Sequence, residues 1–283
     1  MTTRYKLLAM DVDGTLVGPD SIVPAEVVAA VGRAQRAGMR VCLATGRSYV
    51  ETIGPWNQLG LAGPWEPMVV AGGALVSEPT TGRTLYHKPI PREPAQQFAA
   101  ALIEAGMAPM AIVDVWRHGV DYLLVEGGDM HEAQAKWFAK MNVRIRRVKR
   151  LDDPADLPPP LRISAVTEPE AGHRLAARLI ERFGEQLNVH AILAPNYGVT
   201  IVEALAKAAT KLSGLTYVAQ AHLIPSSAIV AVGDDINDLA MVRGSGLGVA
   251  MGHGSPILQA QARHVAQAGL ATFIDEMLAG QHD

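Results

Sequence analysis

The 283 residues contain one cysteine, Cys42. This excludes an intramolecular disulfide framework and a cysteine-rich zinc site. No charge of either sign dominates: 25 Lys and Arg stand against 28 Asp and Glu, a formal net charge of −3. A general nucleic-acid binder would more often be basic, so that class loses weight. No apolar run reaches the roughly 18 residues of a transmembrane helix. The apolar stretch before Asp11 is also too short for a signal-peptide core. The chain has no internal repeat and no low-complexity tail. A Walker A sequence is absent, and no Gly-x-Gly-x-x-Gly fingerprint follows the first apolar run, which argues against P-loop and dinucleotide enzymes. These absences lead us to expect a cytoplasmic protein with no membrane or nucleic-acid partner.

What is present is a core-forming composition, 49% apolar. Tyr5–Met10 reads as a buried strand that ends on Asp11-Val12-Asp13-Gly14-Thr15. A helix is expected over Pro24–Ala37, closed by Gly38. Arg40–Ala44 reads as a second strand, ending on Thr45-Gly46-Arg47. A helix opening at Ser48 or Thr52 follows, and then a third strand, Pro67–Ala71, ending on Gly72-Gly73. Strand and helix alternating in this way point to a parallel sheet with crossover helices.

The pattern then shifts to hairpins. Ala74–Ser77 pairs in pattern with Arg83–His87, and Met110–Trp116 with Val120–Glu126 across His118-Gly119. Helices interspersed with these hairpins suggest an antiparallel sheet covered on one face. Parallel-sheet character returns near Lys211, with a helix over Leu212–Ala221. Strand Ala228–Val232 then ends on Gly233-Asp234-Asp235-Ile236-Asn237-Asp238. The expected fold is therefore α/β: a Rossmann-like parallel core formed by residues 1–80 and 194–283, with a second α/β domain, 81–193, inserted in it.

In open α/β sheets, ligands bind beyond the C-terminal strand ends. Asp11 with Asp13, Thr45 with Arg47, Gly72-Gly73, and Asp234 with Asp238 all fall at such ends. Four converging carboxylates repel one another unless a cation sits among them. An all-oxygen set favours Mg²⁺ over zinc.

These segments resemble the haloacid dehalogenase-like phosphatase superfamily, and within it the Cof-type group with a large α/β cap. Asp11-Val12-Asp13-Gly14-Thr15-Leu16 is similar to the family's first motif and Ala44-Thr45-Gly46-Arg47 to its second. Lys211 with Leu215 is similar to the third. Gly233-Asp234-Asp235-Ile236-Asn237-Asp238, followed by Met241 and Met251-Gly252, is similar to the fourth. The resemblance covers essentially the whole chain. It implies a Mg²⁺-dependent hydrolase of small phosphomonoesters, sugar phosphates or phosphorylated short acids, working through an aspartyl phosphate. Asp11 would be the nucleophile and Asp13 the general acid/base. Mg²⁺ would be held by Asp11, the Asp13 carbonyl and Asp234. Asp238, directly or through water, and Asn237 would support it. Thr45 and Lys211 would hold the phosphoryl group, with Lys207 as the competing lysine. Arg47 would either reach substrate or form a structural ion pair. Gly72 and Gly73 would line the substrate site.

Three positions depart from the family pattern. Asp235 stands where a small residue is usual, Gly72 where Asn is usual, and His253 where Asn is common. His253 is expected either to supply the same loop hydrogen bond or to make a new contact. Thr15 is expected to bond Asp13 or the backbone. Specificity contacts would come from the cap, with Arg117 and His190 named first and Trp116, His118, Asp121, Tyr122, Asn196 and Tyr197 beside them. The basic stretch Arg144–Arg150 reads as a solvated cap strand or an anion-attracting rim. It has no interleaved aromatics of the kind nucleic-acid binding needs. The same residues would also serve a phosphomutase or a non-catalytic phosphometabolite sensor. A phosphoprotein phosphatase is disfavoured because a large cap restricts access. Monomer and homo-oligomer are both compatible with the sequence.

Overall fold

The computed structural model describes residues 4–61, 63, 66–152, 157–194 and 197–282. The chain opens with β1 (Leu7–Met10), α1 (Ala25–Arg36), β2 (Arg40–Leu43), α2 (Tyr49–Gln58), β3 (Met68–Val70) and β4 (Leu75–Ser77). There follow β5 (Thr84–His87), α3 (Arg92–Glu104), β6 (Met110–Ile112), α4 (Val115–His118), β7 (Tyr122–Val125) and α5 (Glu132–Lys140). Next come β8 (Ile145–Val148), β9 (Arg162–Thr167), α6 (Pro169–Phe183), β10 (Leu187–Ala194) and β11 (Val199–Ala206). The chain closes with α7 (Lys211–Ala221), β12 (Ile229–Gly233), α8 (Leu239–Gly244), β13 (Leu247–Met251), α9 (Pro256–Gln259), β14 (His264–Ala266) and α10 (Leu270–Leu278). It divides into two compact units, one built from the segments up to Arg83 and from Thr210 onward, the other from Thr84–Ala209.

The first unit carries a parallel sheet in the order β14-β13-β12-β1-β2. Its central strands LLAM and IVAVG are buried at every residue. A strand covered on both faces reads as an unbroken apolar run, which is why these were visible in the sequence. The register sets the site: Met10 lies opposite both Val232 and Leu43. The three parallel strands therefore reach one level together: Asp11 and Ala44 follow β1 and β2 directly, beside Gly233, the last residue of β12. Helix α1 buries Val27, Ala30, Val31 and Ala34, and α10 buries Leu270, Phe273, Ile274 and Met277. Both stripes follow the three-and-four spacing of an amphipathic helix. Arg33 on α1 joins Asp275 on α10 by two hydrogen bonds of 2.8 and 2.7 Å.

The second unit is a six-stranded sheet in the order β10-β11-β9-β6-β7-β8, antiparallel except for β7 with β8. Helix α6 lies on one face of it. A Cβ on Gly172 would come 2.6 Å from the Thr200 Cγ2, so only glycine allows this approach. Phe98 of α3 meets Phe183 of α6 edge-on at 5.6 Å. Two details differ from the sequence reading. Residues 194–209 group with the second unit, because β11 pairs with β10 along its whole length and with β9 beyond. The hairpin expected around His118-Gly119 forms, with β6 antiparallel to β7, but its connection carries the short helix α4, which takes up Trp116–His118. Asp114 caps it, accepting a hydrogen bond from the Arg117 amide, and Gly119 closes it with a φ of 71°.

Candidate active site

Asp11 follows β1 directly, and its amide donates to the Val232 carbonyl at 3.0 Å. That bond continues the β1–β12 ladder by one residue and fixes the Asp11 backbone. Gly14 then turns the chain with a φ of 74°. A Cβ there would fall 2.2 Å from the Asp234 Oδ2, so glycine is required for the close approach as well as for the turn. Thr15 Oγ1 points at Asp234 Oδ1, 3.4 Å away. The partner expected for Thr15 was Asp13 or the backbone, but the turn at Gly14 carries it across to the fourth motif.

Asp13 is more than half exposed and is gripped by Arg47. The guanidinium Nε donates to Oδ2 at 2.8 Å and Nη2 to Oδ1 at 2.6 Å. Nη2 also reaches Ser21 Oγ at 3.1 Å, and Nη1 the Glu51 carbonyl at 3.3 Å. Of the two readings of Arg47, the ion pair is the one seen here. Ser21 was not singled out in the sequence. Its only mark is a left-handed φ of 58°, which sequence does not reveal. Thr45 is buried at the end of β2, its amide donating to Val69 at 2.9 Å and its Oγ1 accepting from the Arg47 amide at 3.2 Å.

Lys211 is the first residue of α7, and its side chain is 1% exposed. Thr210 caps the helix, accepting from the Ser213 amide. The Lys211 ammonium donates to Asp11 Oδ1 at 2.7 Å and to Asp238 Oδ1 at 2.6 Å. Lys207, the rival lysine, lies in the second unit and donates to the Gly184 carbonyl. Gly73 backs the amino end of α7. With a φ of 95°, its Cβ would sit 1.9 Å from the Thr210 carbonyl oxygen. Gly72 donates to the Thr45 carbonyl at 2.9 Å. Both glycines therefore hold backbones together where β2, β3 and α7 meet.

The fourth motif follows β12. Asp238 is fully buried. Its Oδ2 accepts the amides of Asp234 and Asp235 at 3.0 and 3.2 Å, and its Oδ1 accepts from Lys211. Asp235 caps the short turn Ile236–Asp238 by accepting the Ile236 amide at 2.7 Å, and Asn237 sits half-buried on that turn. The His253 Nε2 lies 2.7 Å from the Gly14 carbonyl. A carbonyl only accepts, so the ring donates there. The departure from the family pattern thus supplies a loop hydrogen bond.

Asp11, Asp234 and Asp238 each present a carboxylate oxygen within 4.8 Å of the others. Burial pushes the Asp11 carboxyl well above the usual carboxylate range. Lys211 opposes this, and the carboxylates of Asp238, Asp234 and Asp13 add to it. Burial and Asp238 push Asp234 up to about 7. Burial would lower the Lys211 ammonium, but Asp11 and Asp238 outweigh it and hold the charge. One ammonium does not balance the buried carboxylates of Asp11 and Asp238 together with the half-buried one of Asp234. An all-oxygen donor set, drawn together by a glycine and short of positive charge, fits a divalent cation.

In the second unit, Arg117 is half-exposed, with its Nε 3.2 Å from Asp114 Oδ2. The His190 Nδ1 lies 3.4 Å from Glu203 Oε1, and Arg162 approaches the other oxygen of Glu203 at 3.3 Å. Glu203 is 1% exposed and lies on the sheet face opposite α6, because strand side chains alternate and Thr200 faces that helix. Asp121 is buried under Arg144, Tyr122 is buried against Trp137 and Phe138, and Trp116 and Tyr197 are exposed. Asn196 lies outside the described residues.

Comparison with known proteins agrees with this geometry. The family described as haloacid dehalogenase-like hydrolase matches residues 8–270. The 5-amino-6-(5-phospho-D-ribitylamino)uracil phosphatase YitU of Bacillus subtilis is 26% identical, with 98% of each chain covered. The pyridoxal phosphate phosphatase YbhA of Escherichia coli is 25% identical over 94% of this chain and 93% of its own. A haloacid dehalogenase-like hydrolase from B. subtilis shares the fold, with a TM-score of 0.76 at 22% identity over 95% of this chain and 99% of its own. The chain belongs to the haloacid dehalogenase-like hydrolases, in their cap-bearing Cof-type phosphatase group, and is an enzyme of that class. Membership implies a divalent-metal requirement. Among the described residues no helix is long and apolar enough to cross a membrane.

Proposed function

We propose that this enzyme hydrolyses small phosphomonoesters, sugar phosphates and phosphorylated short acids foremost, through a covalent phosphoenzyme at Asp11. The observation that carries the reading is the buried Lys211 ammonium bridging Asp11 and Asp238 at the edge where three parallel strands end. A transferring phosphoryl group concentrates negative charge, and fixed cations and donors stabilise it. The Asp11 carboxylate attacks phosphorus as the bond to the alcohol oxygen breaks. Asp13 gives its proton to that oxygen. Water then attacks phosphorus, Asp13 takes the water proton, and the phosphorus–Asp11 bond breaks to release inorganic phosphate. Thr45 and Lys211 hold nonbridging oxygens through both steps.

Mg²⁺ is the cation proposed. The Asp11 and Asp234 carboxylates and the Asp13 carbonyl would hold it. When bound it supplies charge neutralisation between the nucleophile and the phosphate. Asp238 already spends its oxygens on Lys211 and two amides, so its part is to anchor the lysine and the 233–238 loop. Asn237 supports that loop. The second unit acts as the cap, excluding water and contributing specificity contacts, for which Arg117 and His190 are the first candidates. Gly72 and Gly73 shape the substrate wall through the backbone. The two named relatives act on phosphate esters of small molecules by their names, which supports the substrate class.

The test is phosphate release across a panel of metabolite phosphates with Mg²⁺, beside phosphopeptides and beside Asp11→Asn. Release from small esters alone, abolished by EDTA and in D11N, supports the reading. Release by D11N at the wild-type rate overturns it.

A further inference from the structure

A second cluster of metal-ligating side chains lies in the first unit, on elements the catalytic reading does not use. His264 comes from β14, Glu276 from α10, and His282 from the chain beyond α10. Each offers one ligand atom within 4.8 Å of the other two. The His282 Nε2 is 3.5 Å from Glu276 Oε2, and it is buried with no hydrogen-bond partner among the described residues. A buried ring nitrogen without a partner costs free energy. Donors in a tetrahedral zinc site stand about 3.3 Å apart, given metal–ligand lengths near 2.0–2.1 Å. The 3.5 Å separation suits two ligands flanking an ion better than a hydrogen bond between them.

The surroundings hold the cluster in place. The His264 and His282 rings lie 4.4 Å apart, and His264 stacks on Phe273 at 5.5 Å. The Tyr5 hydroxyl donates to the His282 carbonyl at 2.9 Å, which ties the end of the chain to the residues just before β1. Ring stacking explains why the imidazoles are close. It does not explain why a carboxylate converges on the same point while the buried His282 Nε2 makes no hydrogen bond among the described residues.

We propose that His264, Glu276 and His282 form a transition-metal site of the two-histidine, one-carboxylate type, selective for Zn²⁺ over Mg²⁺. Imidazole nitrogen favours borderline metals, whereas the oxygen-only site at Asp11 favours hard ones. The bound ion pins the segment after α10 to α10 itself and to β14, the edge strand of the parallel sheet. Its role is structural.

The test uses the full chain in excess Mg²⁺, with Zn²⁺ added against a chromophoric chelator and Cu²⁺ read by electron paramagnetic resonance. The wild type is expected to take up one Zn²⁺, to melt at a higher temperature with it, and to show nitrogen hyperfine structure from two imidazoles with Cu²⁺. His282→Gln and Glu276→Gln are expected to lose at least about 100-fold in Zn²⁺ affinity while keeping Mg²⁺-dependent activity. Neither residue touches the catalytic cluster, so a failure of the proposed phosphatase chemistry would leave this result untouched. No Zn²⁺ uptake by the wild type, or equal affinity in both variants, overturns the site. His282 lies outside the regular elements, after α10, so H282Q remains informative if a substitution at His264 in β14 disturbs folding.

Discussion

Arg47 clasps Asp13 with two parallel hydrogen bonds, Nε to Oδ2 at 2.8 Å and Nη2 to Oδ1 at 2.6 Å. The fork of a guanidinium matches the two carboxylate oxygens, so the pair fixes the orientation of the group as well as its position. Arg47→Ala is therefore expected to lower kcat about tenfold or more, since general acid/base steps are worth roughly 10²–10⁴, with KM little changed. Arg47→Lys keeps the charge but loses the fork, and is expected to recover only part of the rate. Steady-state kinetics decide. A large rise in KM with kcat intact would instead assign Arg47 to the substrate.

Lys211 is the one ammonium among three carboxylates. Lys211→Met leaves Asp11 and Asp238 buried without it, and breaking a buried pair costs about 3–5 kcal/mol. The metal-free protein is expected to melt well below the wild type. Activity should fall by at least about 10²–10³, the worth of one fixed donor to a developing charge. A variant with wild-type kcat would remove Lys211 from the mechanism.

Metal-free stability has a predictable slope with pH. Asp234 titrates near the ordinary carboxylate value when unfolded and at about 7 when folded. Between roughly pH 4 and 7 the folded protein keeps a proton that the unfolded chain has lost, so stability falls as pH rises through that window and levels off above it. A cation displaces that proton, so Mg²⁺ affinity rises over the same range, by up to about tenfold per pH unit. Melting curves with and without Mg²⁺ should draw apart from pH 5 to pH 8. A constant gap would contradict the linkage.

His253 holds the Gly14 carbonyl, one residue beyond the Asp13 carbonyl proposed as a ligand. His253→Ala is expected to weaken Mg²⁺ about tenfold, the usual scale for outer partners of a metal site, with KM for substrate unchanged. His253→Gln, which can also donate to that carbonyl, should restore most of it. Unchanged Mg²⁺ affinity in H253A would reduce the bond to loop packing.

The catalytic edge was legible because β1, β2 and β12 are apolar runs that stop at polar residues, and parallel register brings those stops together. The partners within the edge were less legible. Asp13 and Arg47 are 34 residues apart, and Lys211 and Asp11 200 apart. Nothing local marks such pairs. The carboxylate of Glu203 looked like any surface strand residue, yet it is buried between Arg162 and His190 from neighbouring strands. Helix α4 was hidden because four residues do not show a helical period. Its signal was the Asp114 cap with Gly119 after it. Strand β14, at three residues, is too short to alternate.

The covalent step is the centre of the account. It is tested most directly by rapid-quench labelling with a phosphorus-labelled substrate in the wild type and in Asp13→Asn, followed by peptide mapping. The account predicts a label on Asp11, transient in the wild type and accumulating in D13N because water is no longer activated. Turnover with no labelled enzyme, or a label on any residue other than Asp11, would contradict it.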